Sequence, residues 1–182
     1  MKIIIKDLID IYKEFYRMRR GLWSELCFIV GVPIALSVTA FIIGLYVPKR
    51  WEISIISIMD DFLNQIITVL ALFISFSIAY IGMIITSESS NITKMKETES
   101  RLYKLNDKPV TIFQSLHCLM TYTVVVEVVF LMIVFAEKLL IYLIGKSIIE
   151  ILFCFNLVIL LHIVILICIQ IKDIYYSFWK SQ

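Results

Sequence analysis

Helix-breaking residues are scarce in this chain. Only 5 glycines and 3 prolines interrupt 182 residues that are 60% hydrophobic, and the mean hydropathy is +0.92. A soluble domain of this size sits nearer about 45–50% apolar. Charge is absent over long stretches: Phe62 to Ser87 contains none. Cysteine pairs are absent too. Cys27, Cys118, Cys154 and Cys168 lie in apolar runs and none forms a C-x-x-C. That excludes a disulfide-stapled secreted domain, and the four read as small buried thiols. The formal net charge of +2 is too small to imply nucleic acid, so no direct nucleic-acid contact is expected. No small-residue cleavage site follows the first apolar run, so no signal peptide is expected.

Catalytic signatures are also missing. There is no H-E-x-x-H, no G-x-S-x-G, no P-loop and no dinucleotide fingerprint. With no polar segment longer than about 25 residues, an enzyme would need its site inside the membrane. Ser75 and Ser77 on one helix can in principle meet His162 on another, but nothing positions an oxyanion hole. No enzyme, cofactor or metal site is expected. The absence of an internal repeat argues against a secondary transporter.

What is present is four apolar runs, at residues 26–47, 62–87, 110–144 and 148–172. Each is long enough to cross ~30 Å of hydrocarbon as a helix. The runs are continuous, whereas barrel strands alternate, so the expected fold is all-α with four transmembrane helices. The basic residues divide unevenly. Lys2, Lys6, Lys13, Arg17, Arg19 and Arg20 precede the first run; Lys94, Lys96, Arg101, Lys104 and Lys108 lie between the second and third; Lys172 and Lys180 follow the fourth. Only Lys49, Arg50, Lys138 and Lys146 fall on the other side. The positive-inside rule then places both termini and the middle loop in the cytoplasm of a bacterial inner membrane. Trp23, Trp179, Tyr175 and Tyr176 fall at the inner boundary and Trp51 at the outer one.

The second run carries a stripe of small and polar residues: Asn64, Thr68, Ala71, Ser75, Ala79, Gly82 and Thr86. Their spacing follows a 3.6-residue period, so they share one face. Such a face either lets another helix or subunit approach closely or lines a water-filled pore. Asp60 and Asp61 stand at its outer mouth. Polar groups inside the membrane need a reason, and five are candidates: Glu127, His162, Asn156, His117 and Gln114. If Gly145-Lys146-Ser147 is an antiparallel turn, Phe130 lies level with His162 and Ala136 with Asn156. A Glu127–His162 contact is then within reach, either as a proton- or ion-sensitive site or as structural support. His117 reads as a satisfied core histidine.

The segments outside the apolar runs are short. Residues 1–22 place Ile4, Leu8, Ile11, Phe15 and Met18 on one helical face, which suits a helix lying on the inner leaflet or packed on a partner. Residues 48–61 read as an interfacial or re-entrant turn. In residues 88–109, Ile92, Met95, Leu102 and Leu105 have heptad-like spacing with Glu99 at the missing position. The second span is therefore expected to continue into the cytosol as helix. Lys94, Lys96, Arg101 and Lys104 there offer a basic surface for a partner or for anionic lipid.

This layout resembles the small four-helix membrane subunits of bacterial antiphage defence systems, among them the Kiwa membrane component KwaA. The resemblance rests on length, the basic N-terminal helix (Lys2 to Arg20), four spans and the helical loop around Met95–Leu105. It implies a homo-oligomeric inner-membrane sensor or scaffold that works with a cytoplasmic effector. The competing expectation is an oligomeric ion channel or holin-like pore lined by the small-residue stripe.

Overall fold

The computed structural model describes residues 2–19, 23–46, 55–105, 108–143 and 145–179. Within them the chain forms α1 (Lys2–Met18), α2 (Trp23–Tyr46), α3 (Ile55–Thr86), α4 (Ser90–Glu97), β1 (Glu99–Leu105), β2 (Lys108–Thr111), α5 (Ile112–Leu140), a short 3-10 turn (Ile141–Leu143) and α6 (Lys146–Trp179). The expected turn over residues 48–61 lies mostly outside the described residues; Ile55 already starts α3.

The four long helices follow the apolar runs, because a long uncharged segment with few breakers satisfies its backbone most readily as helix. Three of them are long and apolar enough to cross a membrane: Trp23–Ile42, Ile56–Thr86 and Ile148–Tyr175. α5, the expected third span, is not among these three. It contributes ten buried residues to the bundle, including Thr123, Glu127, Phe130 and Glu137. α3 and α6 both pack along α5, and α2 packs along α6, with Ile29 of α2 in the same apolar cluster as Leu119 and Tyr122 of α5.

Two parts of the fold differ from expectation. The loop 88–109 is helical only over α4. The chain leaves helix at residues 87–89, Ser89 caps α4 by accepting from the Ile92 amide, and Glu99 to Thr111 fold as a two-stranded antiparallel hairpin. Ile92 and Met95 are buried as the heptad spacing suggested, but against Ile84, Leu116 and Met120 rather than in a coiled coil. The apolar face of α1 is not left for a lipid surface. Phe15 is fully buried and stacks on Tyr122 of α5 at 3.9 Å between centroids.

Candidate functional site

Pro33 starts the site. It sits inside α2 and has no amide hydrogen, so the carbonyl four residues earlier, Ile29, loses its helical donor. Membrane helices tolerate this only when a neighbour supplies the missing bond. His162 of α6 does so: its Nδ1 lies 3.0 Å from the Ile29 oxygen. A carbonyl only accepts, so Nδ1 carries the hydrogen and, in the neutral ring, Nε2 is an acceptor. Tyr122 then donates to Nε2 across 3.3 Å. Its own oxygen is left to accept from Tyr16 of α1, at a longer 3.5 Å. Burial pushes the Tyr16 hydroxyl above the ordinary tyrosine range, which keeps it protonated and able to donate. One run of hydrogen bonds therefore crosses α1, α5, α6 and α2.

A second joint lies where the end of α1, the start of α2 and the hairpin meet. Arg19 is fully buried. Its guanidinium lies 4.3 Å above the Phe15 ring and 4.9 Å above the Tyr103 ring, a desolvated cation–π arrangement. Glu25 approaches Arg19 Nε at 3.7 Å and accepts from the Tyr103 hydroxyl at 3.3 Å. Burial raises the Tyr103 pKa, so the phenol stays a donor. Asp173 near the end of α6 adds negative charge to the same joint. None of the three Arg19 nitrogens has a hydrogen-bond partner among the described residues.

The expected site residues distribute as follows. Glu127 does not meet His162. It is buried and accepts from Ser77 of α3 at 3.4 Å, while Tyr122 serves His162. Five residues on a helix turn through about 140°, so the two side chains leave α5 on different faces. Asn156 lies beside Glu137 as the antiparallel register implies, donating to its Oε2 at 2.6 Å. Gln170 and Thr123 continue that register with a second buried bond. Gln114 is a helix cap rather than an intramembrane polar group: it and Thr111 form the capping box that opens α5. His117 is half-buried and stacks parallel to Phe113.

Among the described residues, little meets the stripe on α3 beyond the Lys138 ammonium at Asn64. Asn64, Thr68, Ala71, Ser75, Ala79, Gly82 and Thr86 are all exposed. The face that packs carries Met59, Leu63, Ile66 and Leu70, because bulky side chains give more dispersion contact. Thr68, Ser75 and Thr86 return their hydroxyls to the carbonyls of Asn64, Ala71 and Gly82. Asp60 is not a free member of an acidic mouth, for Lys138 reaches it at 3.7 Å and also bonds Asn64; Asp61 is exposed. Lys96 sits over the Phe113 ring at 5.1 Å, Lys94 and Lys104 are exposed, and the Arg101 side chain lies outside the described ones. The thiols are not buried: Cys27 and Cys168 are exposed and Cys118 and Cys154 half-buried. The sequence reading missed Tyr16, Tyr122, Ile29, Glu25 and Tyr103. Pro33 was the available signal, since a proline inside a span leaves a carbonyl seeking a donor. Compared with known proteins, the chain matches no family model, no curated protein and no solved structure.

Proposed function

We propose that this chain is an oligomeric membrane sensor subunit that passes a change in the bilayer to a cytoplasmic partner through α1 and the hairpin. The observation that carries this reading is the Tyr16–Tyr122–His162–Ile29 run. A displacement among α2, α5 and α6 reaches α1 through three hydrogen bonds, and α1 meets the hairpin at Arg19 and Tyr103. α5 crosses with α6 as the fourth span, because the Asn156–Glu137 and Gln170–Thr123 bonds tie the two along much of their length. The basic asymmetry puts both termini and the hairpin in the cytoplasm. Lys94, Lys96, Arg101 and Lys104 then face the partner. A place in an antiphage defence system, which the layout implies, belongs to this reading.

The bare small-residue face of α3 is where copies associate. Its hydroxyls are already satisfied by their own helix, so it needs no water, and small side chains permit close approach. A Cβ added at Gly82 meets nothing within 4 Å in the isolated chain. Gly82→Leu and Ala71→Leu should therefore spare the bundle and shrink the particle measured by light scattering. Particles of wild-type mass for both variants would remove the oligomer from the reading. The relay itself is tested by amide exchange in nanodiscs. Tyr122→Phe should raise exchange across α1 while α3 stays unchanged, and an unaltered α1 would overturn it. Robust cation-selective conductance from the purified protein, lost on Asp61→Asn, would favour the channel instead.

A further inference from the structure

A cavity of about 390 Å³ lies over the seam between α5 and α6, within the usual ~300–1,000 Å³ of small-molecule sites. Its lining on α5 runs from Tyr122 to Ile133, eleven helical rises or about 16 Å. The cavity is thus elongated along the helix axis, walled there by Val125, Val126, Val129, Phe130 and Ile133, a lining that suits an extended aliphatic chain. Val30 of α2 and Val129 of α5, on opposite walls, are both exposed, so the cavity opens sideways between the helices. The tyrosines of the lining cluster at one end of this stretch, where Tyr12 and Tyr16 of α1 stand against Tyr122, and the Tyr122 hydroxyl reaches His162. Among the described residues, no Lys, Arg, Asp or Glu lines it.

We propose that this cavity binds a single-chain membrane amphiphile with an uncharged hydroxyl or ester head, its chain lying along α5 and its head at the tyrosine end. The apolar walls take the chain. The head is neutral because a charged one would be buried with no counter-charge in the lining. It lies at the tyrosines because the Tyr16–Tyr122 contact is long, 3.5 Å, and readily exchanged for a hydrogen bond to an incoming hydroxyl or carbonyl. The source is the bilayer, reached through the side opening. The binding stands alone; its consequence as the sensed stimulus rests on the relay described above.

The test uses the full chain in nanodiscs of phosphatidylethanolamine and phosphatidylglycerol, with a diazirine-bearing monooleoylglycerol as probe. Photolabelling should saturate and fall in residues 125–133 and 158–162. Unlabelled monooleoylglycerol should remove it, and oleate should compete at least about tenfold less well, because its carboxylate would be buried unpaired. Val129→Trp and Val30→Trp should each cut labelling about tenfold by filling the cavity, whereas Phe76→Ala, on an exposed part of α3, should not. Labelling that rises linearly with probe and marks Phe76 and Met83 equally would mean annular lipid only and would overturn the site. Equal competition by oleate would overturn the neutral head. Should neither Trp variant give an intact bundle, the competition on the wild-type chain decides. Amide exchange in α1, read with and without monooleoylglycerol, separates the two ideas. Saturable labelling with unmoved α1 keeps the site and removes the relay; a moving α1 without labelling at the cavity removes the site and keeps the relay.

Discussion

The two ends of the helical bundle solve the same problem, holding charge beside apolar helices, in opposite ways. At the α1 end, Arg19 is wholly buried between two aromatic rings and its partner Glu25 is only 15% exposed. At the other end, Lys138 and Asp60 form a pair whose side chains are 34% and 25% exposed. The buried joint draws on α1, α2 and β1, the last bringing Tyr103 from 78 residues beyond Glu25. The outer pair only links α3 to α5. A buried ion pair gains little net stability when intact but is costly to break, because the survivor is left desolvated and unpaired. An exposed pair is screened and worth little either way. The α1 end is therefore the place where one substitution is felt by several elements at once, as a coupling joint requires.

The largest effect is expected from Glu25→Leu, which strands the Arg19 cation between Phe15 and Tyr103. Breaking a buried pair from one side costs about 3–5 kcal/mol, and Asp173 relieves only part of it. The double substitution Arg19→Met with Glu25→Leu removes both charges and should recover most of the loss. Thermal unfolding of the three proteins in nanodiscs measures this. If Glu25→Leu unfolds no earlier than the wild type, the contrast between the two ends fails at its root.

A middle-sized effect is expected inside the bundle. Asn156→Leu leaves Glu137 without its short hydrogen bond across α5 and α6. Interhelical hydrogen bonds in membranes contribute about 0.6–2 kcal/mol, so its midpoint should fall between those of the variants at the two ends. Glu127→Gln should cost less again, since the amide keeps an oxygen for Ser77 and still fits the α3–α5 seam. A Glu127→Gln protein with wild-type stability and normal partner signalling would assign that residue to packing alone.

The order of these effects also shows what the sequence could reveal. Long apolar runs located α2, α3, α5 and α6, because in an apolar solvent only helix satisfies such a backbone. The antiparallel register from Gly145 located Asn156 beside Glu137, since depth in a hairpin is set by rise per residue alone. Azimuth was not legible: Glu127 and Tyr122 lie on the same helix, and which of them faces His162 depends on how α5 is rotated by its neighbours. The hairpin was hidden by a coincidence of spacing. Ile92, Met95, Leu102 and Leu105 keep helical spacing, and Glu99 to Leu105 lacks the polar–apolar alternation that marks a strand; the turn propensity of the Asn-Asp pair at 106–107 was the one available signal in the sequence. Arg19 entered only as one of six basic residues ahead of the first run, because nothing within one turn of it shows that Glu25 and Tyr103 enclose it.

The smallest effect is expected at the outer pair, and its size is the sharpest check on the comparison. Lys138 contacts both Asp60 and Asn64, so by counting contacts alone Lys138→Met would be expected to rival Glu25→Leu. Exposure argues otherwise. With about a third of the lysine side chain open, water or lipid headgroups can solvate Asp60 once the ammonium is gone, and no charge is stranded. The methionine keeps the apolar stem that packs beneath the ammonium. The expected cost is below about 1 kcal/mol, and it should shrink further as salt is raised, because exposed charges are screened within about 10 Å at 0.1 M. A loss above that, unchanged by salt, would mean that α3 and α5 are closed over this pair in the assembled protein, and that the two ends of the bundle are alike after all.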